Sequence, residues 1–114
     1  MATFEDFEKL DIRIGQIIEV KEFPEAKKPA YKIWVDFGED IGIKQSSAQI
    51  TDLYSVDKLL GRQILAVVNF PKRKIAGFSS EVLILGTYSK GGVVLIQPDS
   101  GLSGLNVKNG DKLG

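Results

Sequence analysis

Residues 10–20 read LDIRIGQIIEV, with apolar and polar side chains alternating on either side of Gly15. Strict alternation is typical of a β-strand that has one buried and one solvated face. A glycine inside such a strand indicates a bulge or a sharp bend, the device with which long strands curl. The segment therefore predicts a long first strand of a barrel.

Further strand patterns follow along the chain, with one helical pattern among them. The predicted strands span residues 31–37, 42–50, 62–69 and 81–88. The helix is expected from Asp52 to Leu60, with Gly61 ending it. Three strands, a helix and two more strands follow the order of the OB-fold, a five-stranded barrel. An SH3-like barrel is the nearest alternative.

The predicted fold class is all-β (mainly β): an OB-fold barrel with a helix between strands 3 and 4. A short helix from Phe4 to Glu8, capped by Thr3, precedes it. The C-terminal extension from Pro98 to Gly114, with Leu102 and Leu105 among its few apolar residues, wraps the barrel, forms a hairpin or contacts a partner. A chain of 114 residues fits a single domain over 1–114.

Composition excludes several kinds of chemistry. The chain has no cysteine and no histidine, so thiol catalysis, disulfides and the commonest general base are excluded. We find no metal-binding or phosphate-loop spacing, so we expect no enzyme, no metal and no cofactor. The acidic N-terminus is unlike a signal peptide, and no apolar run could span a bilayer. We therefore expect a cytoplasmic protein without membrane insertion.

Charge is divided unevenly along the chain. Residues 1–57 hold twelve acids and seven bases, a net −5, and residues 58–114 hold three acids and eight bases, a net +5. Lys72, Arg73 and Lys74 stand together in the predicted loop between the fourth and fifth strands, which borders the binding face of many OB-folds. This loop is either a phosphate-binding element or a solvated turn.

Aromatic and basic residues near the loops are further candidates. Phe70 and Phe78 flank the three cations, where they either stack on bases or plug the barrel end. Lys32 lies by the loop joining the first two strands, another common ligand-flanking position. Trp34 is out of phase with the inward set of its strand, so it either anchors a ligand or is covered by the tail.

Two motifs resemble the signatures of the tRNA-binding domain family. Asp11 to Gln16 is similar to its D-I-R-V-G opening, and Asn69 through Ser80-Glu81 to Leu83 resembles its N…K-x-x-G-x-x-S-E-x-x-L signature. Further matches, such as residues 23–26, 46–51 and 67–71, resemble the CsaA subgroup of bacterial export-related chaperones. The resemblance is in ordered register over residues 7–86.

The resemblance implies an OB-fold whose core spans about residues 7–86 and whose termini build a homodimer. It also implies tRNA binding and, in the chaperone subgroup, binding of unfolded or pre-secretory polypeptides and of the export motor ATPase. The motif positions suggest the RNA-binding candidates Lys72, Arg73, Lys74, Ser80 and Glu81. Glu81 is expected to order the loop, and Lys32 is a further RNA-binding candidate. The polypeptide-binding candidates are Phe23, Tyr31, Phe70 and Phe78. Synthetase-type domains usually have Gly-Met after Ser-Glu, whereas this chain has Val82-Leu83.

Overall fold

The computed structural model describes residues 1–99 and 107–114. The helices in these ranges are α1 (Phe4–Glu8) and α2 (Val56–Leu59). The strands are β1 (Ile12–Glu22), β2 (Tyr31–Asp36), β3 (Ile43–Ala48), β4 (Gln63–Val67), β5 (Arg73–Ile75), β6 (Phe78–Ser80), β7 (Leu83–Ile84), β8 (Gly86–Ser89) and β9 (Gly92–Leu95). No helix within these ranges is long and apolar enough to cross a membrane.

A five-stranded antiparallel sheet in the order β3-β2-β1-β4-β7 forms a nearly closed barrel. Strand β1 serves both halves: Ile12–Gln16 pair with β4, and Gln16–Glu22 pair with β2. The mainly β fold class and its OB-fold type are confirmed. Two hairpins, β5-β6 and β8-β9, stand outside the barrel sheet.

The sequence pattern predicted an irregularity of β1 at Gly15, but the structure has it elsewhere. The register shifts between Ile17 and Glu19, whereas Gly15 pairs regularly with Ile64. A Cβ atom on Gly15 would lie 2.5 Å from Cγ1 of Val35 and 2.6 Å from Cε1 of Phe37. The glycine is therefore needed for close packing of the core, because any side chain would occupy space that these two residues fill.

The barrel interior is the main core. The inward residues of β2 alternate with outward ones as predicted, so Ile33, Val35 and the following Phe37 are almost fully buried. Leu59 from α2 closes one end of this core at 0% exposure. A smaller cluster, Ile12, Ile14, Leu65 and Val67, lies on the other face of β1 and β4. Burying both faces explains why β4 and the first half of β1 have no fully solvated side.

Local elements follow the predictions with some shifts in their bounds. Helix α1 has the predicted bounds, and Thr3 and Asp6 form a capping box at its N-terminus. Helix α2 is shorter than predicted, because turns occupy residues 51–53 and Ser55 is the N-cap. The predicted fifth strand is divided into β7 and β8, and β8 pairs with β9 as a hairpin.

The described part of the C-terminal extension lies along β1. The amide of Ile14 donates to the carbonyl of Asp111 at 2.9 Å, and Leu113 donates to Ile12 at 2.9 Å. This segment covers the edge of β1 that β2 does not reach, and Val107 packs on the smaller cluster. Leu102 and Leu105, the apolar residues noted in the sequence, lie outside the described residues.

Candidate functional site

Two of the three adjacent cations, Arg73 and Lys74, lie on a tight hairpin instead of an irregular loop, and Lys72 directly precedes it. Strands β5 and β6 pair Arg73 with Ser80 and Lys74 with Ser79, leaving Ala76 and Gly77 as the turn. Both turn residues have positive φ, 47° and 82°. A two-residue turn of this kind matches the twist of the paired strands and favours glycine. The hairpin therefore holds its cations on a short rigid support.

The Ser80-Glu81 pair joins this hairpin to β3 and so closes the barrel. The amide of Glu81 donates to the carbonyl of Gln45 at 2.8 Å, and Oε1 of Glu81 accepts from the amide of Gln45 at 3.0 Å. Oγ of Ser80 accepts from the amide of Ser47 at 3.1 Å. These contacts satisfy backbone groups on the open edge of β3, as a neighbouring strand would.

Glu81 also holds one of the three cations. Nζ of Lys72 lies 3.7 Å from Oε2 of Glu81. Among the described residues, no ion pair joins Arg73 or Lys74 to a carboxylate, and both residues are exposed. The hairpin therefore presents two cations that are available to an anionic ligand and a third that is partly neutralised.

A cluster of aromatic rings and a lysine lies beside the hairpin on the outer face of β2. The Phe78 ring makes edge contacts with Phe23 at 5.6 Å and Trp34 at 5.8 Å between centroids. Nζ of Lys32 lies 4.7 Å from the Phe23 centroid and 5.3 Å from that of Phe78. Cation–π attraction therefore fixes Lys32 close to the basic hairpin.

Gln45 links this cluster to the barrel closure, a connection that sequence reasoning missed. Its Oε1 accepts from Nε1 of Trp34 at 3.2 Å, and its Nε2 donates to the carbonyl of Ser79 at 2.9 Å. The cross-strand pairing of Trp34 with Gln45 places the two side chains together. No sequence pattern indicated Gln45, because its role depends on which strands are neighbours.

A groove of about 490 Å³ opens next to the hairpin. Its walls are formed by the end of β3, by β7 and by residues 70–71, and the hairpin residues Arg73 and Ser80 lie at one end. Large side chains are exposed in its lining: Phe70 is 44%, Leu83 47% and Tyr88 99% accessible. An apolar groove with a basic end suits a ligand that is mostly apolar.

The predicted polypeptide-binding residues do not meet in one groove. Phe70 lines the groove, whereas Phe23 and Phe78 belong to the aromatic cluster. Tyr31 is buried, and its hydroxyl donates to the carbonyl of Tyr54 at 2.8 Å. Leu83 and Tyr88 were not among the candidates, because an exposed apolar residue on a strand looks like a core residue in the sequence.

The D-I-R motif is part of the scaffold in this structure. Nε of Arg13 donates to Oδ1 of Asp11 at 2.6 Å, and its Nη1 donates to the carbonyl of Gly110 at 3.0 Å. The hydrogen bond from Arg13 to the carboxylate lowers the pKa of Asp11 from its ordinary value of 3.8. Asn69 accepts from the Asp11 amide and donates to the carbonyl of Lys9. Both family-like motifs therefore tie the termini and the barrel together.

Comparison with known proteins places this architecture in a family. Residues 12–104 match the family described as a putative tRNA-binding domain. The chain belongs to this family. This tRNA-binding domain is similar over its whole length to the crystal structure of CsaA chaperone protein from Picrophilus torridus, with 52% identity, a TM-score of 0.91 and 100% of both chains covered.

The chain is also similar to a second chaperone structure and to part of a methionine–tRNA ligase. The crystal structure of chaperone CsaA from Bacillus anthracis str. Ames has a TM-score of 0.87 and 50% identity, with 100% of this chain and 99% of that one covered. Methionine–tRNA ligase of Thermococcus onnurineus is 36% identical over 98 residues, which are 86% of this chain and 13% of the ligase. The chain thus spans about an eighth of the curated relatives that it matches.

Proposed function

We propose that this tRNA-binding domain is a non-enzymatic chaperone that binds unfolded or pre-secretory polypeptides to assist protein export. The observation that carries the proposal is the groove in which Phe70, Leu83 and Tyr88 are exposed around about 490 Å³ of space. Contiguous exposed apolar surface of this kind favours association with apolar partners. Similarity over the whole chain to two crystal structures of CsaA chaperones supports the same function.

Aggregation of an unfolded client tests this proposal. RNA-free protein should suppress the light scattering of a chemically unfolded client, and Phe70→Ser/Tyr88→Ser should suppress it less. Leu60→Ser is the matched control, because Leu60 is 46% exposed but does not line the groove. Equal suppression by all these proteins would contradict a role for the groove. Suppression only after tRNA is added would contradict the chaperone function itself.

A second candidate function is binding of structured tRNA by the basic hairpin. The observation that favours it is the pair of exposed cations, Arg73 and Lys74, that lack an ion pair among the described residues. Lys32 and the neighbouring aromatic rings extend the same surface. Cations at fixed spacing suit the phosphates of a folded RNA, and rings suit its unpaired bases. The polar atoms of Ser80 and Glu81 already bind β3, so we assign these residues to positioning the hairpin.

The salt dependence of tRNA affinity tests this second function. The variant Lys72→Ala/Arg73→Ala/Lys74→Ala should bind tRNA more weakly. The slope of log affinity against log salt should become less negative by about 0.7 for each lost contact to a phosphate in a single-stranded region. Lys58→Ala/Lys90→Ala removes exposed cations elsewhere and is the control. An unchanged slope in the triple variant, or an equal loss in the control, would refute this function.

We also propose that the domain covers residues 1–114 and acts as a cytoplasmic homodimer joined through its terminal extensions. Helix α1 supports this, because none of its residues is buried and Phe4 is 71% exposed, with its ring 6.2 Å from that of Phe7. Light scattering should give the mass of two chains, and Phe4→Ser/Phe7→Ser should lower it. A monomer at micromolar concentration would remove this proposal. Binding to the export motor ATPase is a further expectation that co-sedimentation would check.

A further inference from the structure

The groove lies where two barrel strands separate. Strands β3 and β7 run in the same direction, because each is linked to β1 through one intervening antiparallel strand. They are joined just before β7 begins, where Oγ of Ser46, within β3, donates to the carbonyl of Val82 at 3.0 Å. Beyond this point residues 47–50 and 83–86 form opposite walls of the groove. The barrel is thus closed at one end of this seam and open at the other.

The backbone of β7 has groups that face the groove. The amide of Leu85 donates to the carbonyl of Leu65 at 2.9 Å. The backbone groups of Leu83 and Leu85 therefore point toward β4. Antiparallel pairing alternates bonded and non-bonded residues. The N–H and C=O groups of Ile84 therefore point away from β4, and Ile84 lines the groove.

The opposite wall offers matching backbone groups. Both backbone groups of Gln45 bond to Glu81 and so point away from β2. Gln49 directly follows the last residue of β3, and we expect its backbone groups to continue this alternation and to point into the groove that it lines. No hydrogen bond joins the Gln49 backbone to another residue within the described ranges. One wall of the groove therefore presents the edge of β7, and the other presents the backbone that directly continues β3.

Charge at the closed end of the groove indicates one property of the occupant. Arg73 lines the groove there and has no ion pair among residues 1–99 and 107–114. The nearby Glu81 carboxylate is already bonded to Gln45 and paired with Lys72. A segment with an acidic side chain or a terminal carboxylate at this end would complement Arg73.

We propose that the groove binds its polypeptide as an added β-strand, which pairs with the backbone edge at Gln49 and faces Ile84. The segment alternates apolar residues, which pack on Phe70 and Tyr88, with solvated ones, and it carries an acidic group at the Arg73 end. Main-chain pairing supplies affinity whatever the sequence, which suits clients that share only an unfolded state. This inference rests on the proposed chaperone function and specifies how its site recognises a client.

Selective N-methylation of a labelled peptide tests the pairing. The probe has about ten residues, the upper end of ordinary strand lengths, with Val alternating with Ser and Glu at one terminus. N-methylation of one alternate set removes the donors that face Gln49, and N-methylation of the other set leaves them. One methylated peptide should bind at least about threefold to tenfold more weakly, because each lost hydrogen bond contributes about this factor. Equal affinity of both would refute strand addition.

Variants at Gln49 test the same contact from the protein side. Gln49→Pro removes the groove-facing N–H, whereas Gln49→Ala keeps it and is the matched control. Peptide affinity should fall about threefold to tenfold in the proline variant alone. An equal loss in the alanine variant would refute backbone pairing. If the proline variant is less stable to urea, the methylated peptides decide the question with the unaltered protein.

The outcomes separate this inference from the function on which it rests. A protein that suppresses client aggregation but binds both methylated peptides equally is a chaperone that does not use strand addition. A protein that neither suppresses aggregation nor binds the unmodified peptide overturns both proposals. Replacing the terminal Glu of the peptide by Lys should weaken binding, and Arg73→Ala should abolish that difference. Persistence of the difference in Arg73→Ala would refute the assigned acidic end.

Discussion

Replacing Glu81 with alanine should destabilise the barrel mainly through the lost hydrogen bond to Gln45 and less through the lost ion pair with Lys72. The carboxylate accepts from the Gln45 amide at 3.0 Å, and the Glu81 side chain is only 21% exposed. Leaving a partly buried amide without an acceptor costs about 1–3 kcal/mol. The ion pair with Lys72 contributes less than about 1 kcal/mol, because the lysine side chain is 69% exposed and solvent screens the pair. We therefore expect Glu81→Ala to lower the free energy of unfolding by about 2 kcal/mol.

Urea unfolding followed by tryptophan fluorescence measures this loss. The single tryptophan, Trp34, bonds to Gln45 and therefore reports on the same closure. Glu81→Gln keeps an acceptor oxygen and should lose about half as much stability as Glu81→Ala. Lys72→Ala removes only the exposed ion pair and should lose less than about 1 kcal/mol. The slope with urea should stay unchanged, because the same surface is exposed on unfolding.

Two results would contradict the assignment of Glu81 to barrel closure. The first is a Glu81→Ala variant as stable as the parent protein, which would mean that water replaces the carboxylate at no cost. The second is an equal loss in Glu81→Ala and Lys72→Ala, which would mean that the ion pair is the main contribution. Either result would return Glu81 to the group of residues available to a ligand.

The scaffold offers three further predictions. Gly15→Ala should lower the free energy of unfolding by about 1–3 kcal/mol, because its Cβ would lie 2.6 Å from the buried Phe37 ring, and an unchanged urea midpoint would contradict this packing. The folded-state pKa of Asp11 is lowered by Arg13, so its contribution to stability is present above pH 3.8 and is lost as the pH falls through the folded-state pKa. The stability difference between the parent and Asp11→Asn should therefore shrink in acid, and a difference constant with pH would refute this. Asn69→Ala should speed hydrogen exchange at the Asp11 amide, because this amide donates to Oδ1 of Asn69 at 2.9 Å in the parent protein. Unchanged exchange of the Asp11 amide measured by NMR would contradict this role of Asn69.

Periodic patterns were reliable where local chemistry and tertiary packing favour the same structure. The alternation in β2 predicted which side chains are buried, because a strand with one solvated face requires that pattern. The capping box at Thr3 predicted α1 because all its contacts lie within a few residues. Helix α2 was predicted too long, because the pattern over residues 51–55 did not exclude the turns that precede Ser55.

The binding candidates show what a single sequence leaves open. The position of Lys72 to Lys74 between two strands was correctly inferred, but the hairpin that supports them depends on the pairing of Arg73 with Ser80. Phe70 and Tyr31 were both polypeptide-binding candidates, yet Phe70 lines the groove and Tyr31 is buried. The alternation of β2 places Tyr31 among its inward residues, whereas the exposure of Phe70 depends on the distant elements that form the groove.

The amino-acid sequence by itself determined the strand order, the single inserted helix, the basic segment and the family, since each of these depends on local periodicity, turn residues or short motifs. Only the tertiary structure decided that Ser80 and Glu81 close the barrel against β3, and that the same seam opens into a groove beyond Ser46 and Val82. These features arise from parallel strands that are far apart in the chain. Their spacing is set by packing of the whole barrel, which no single segment encodes.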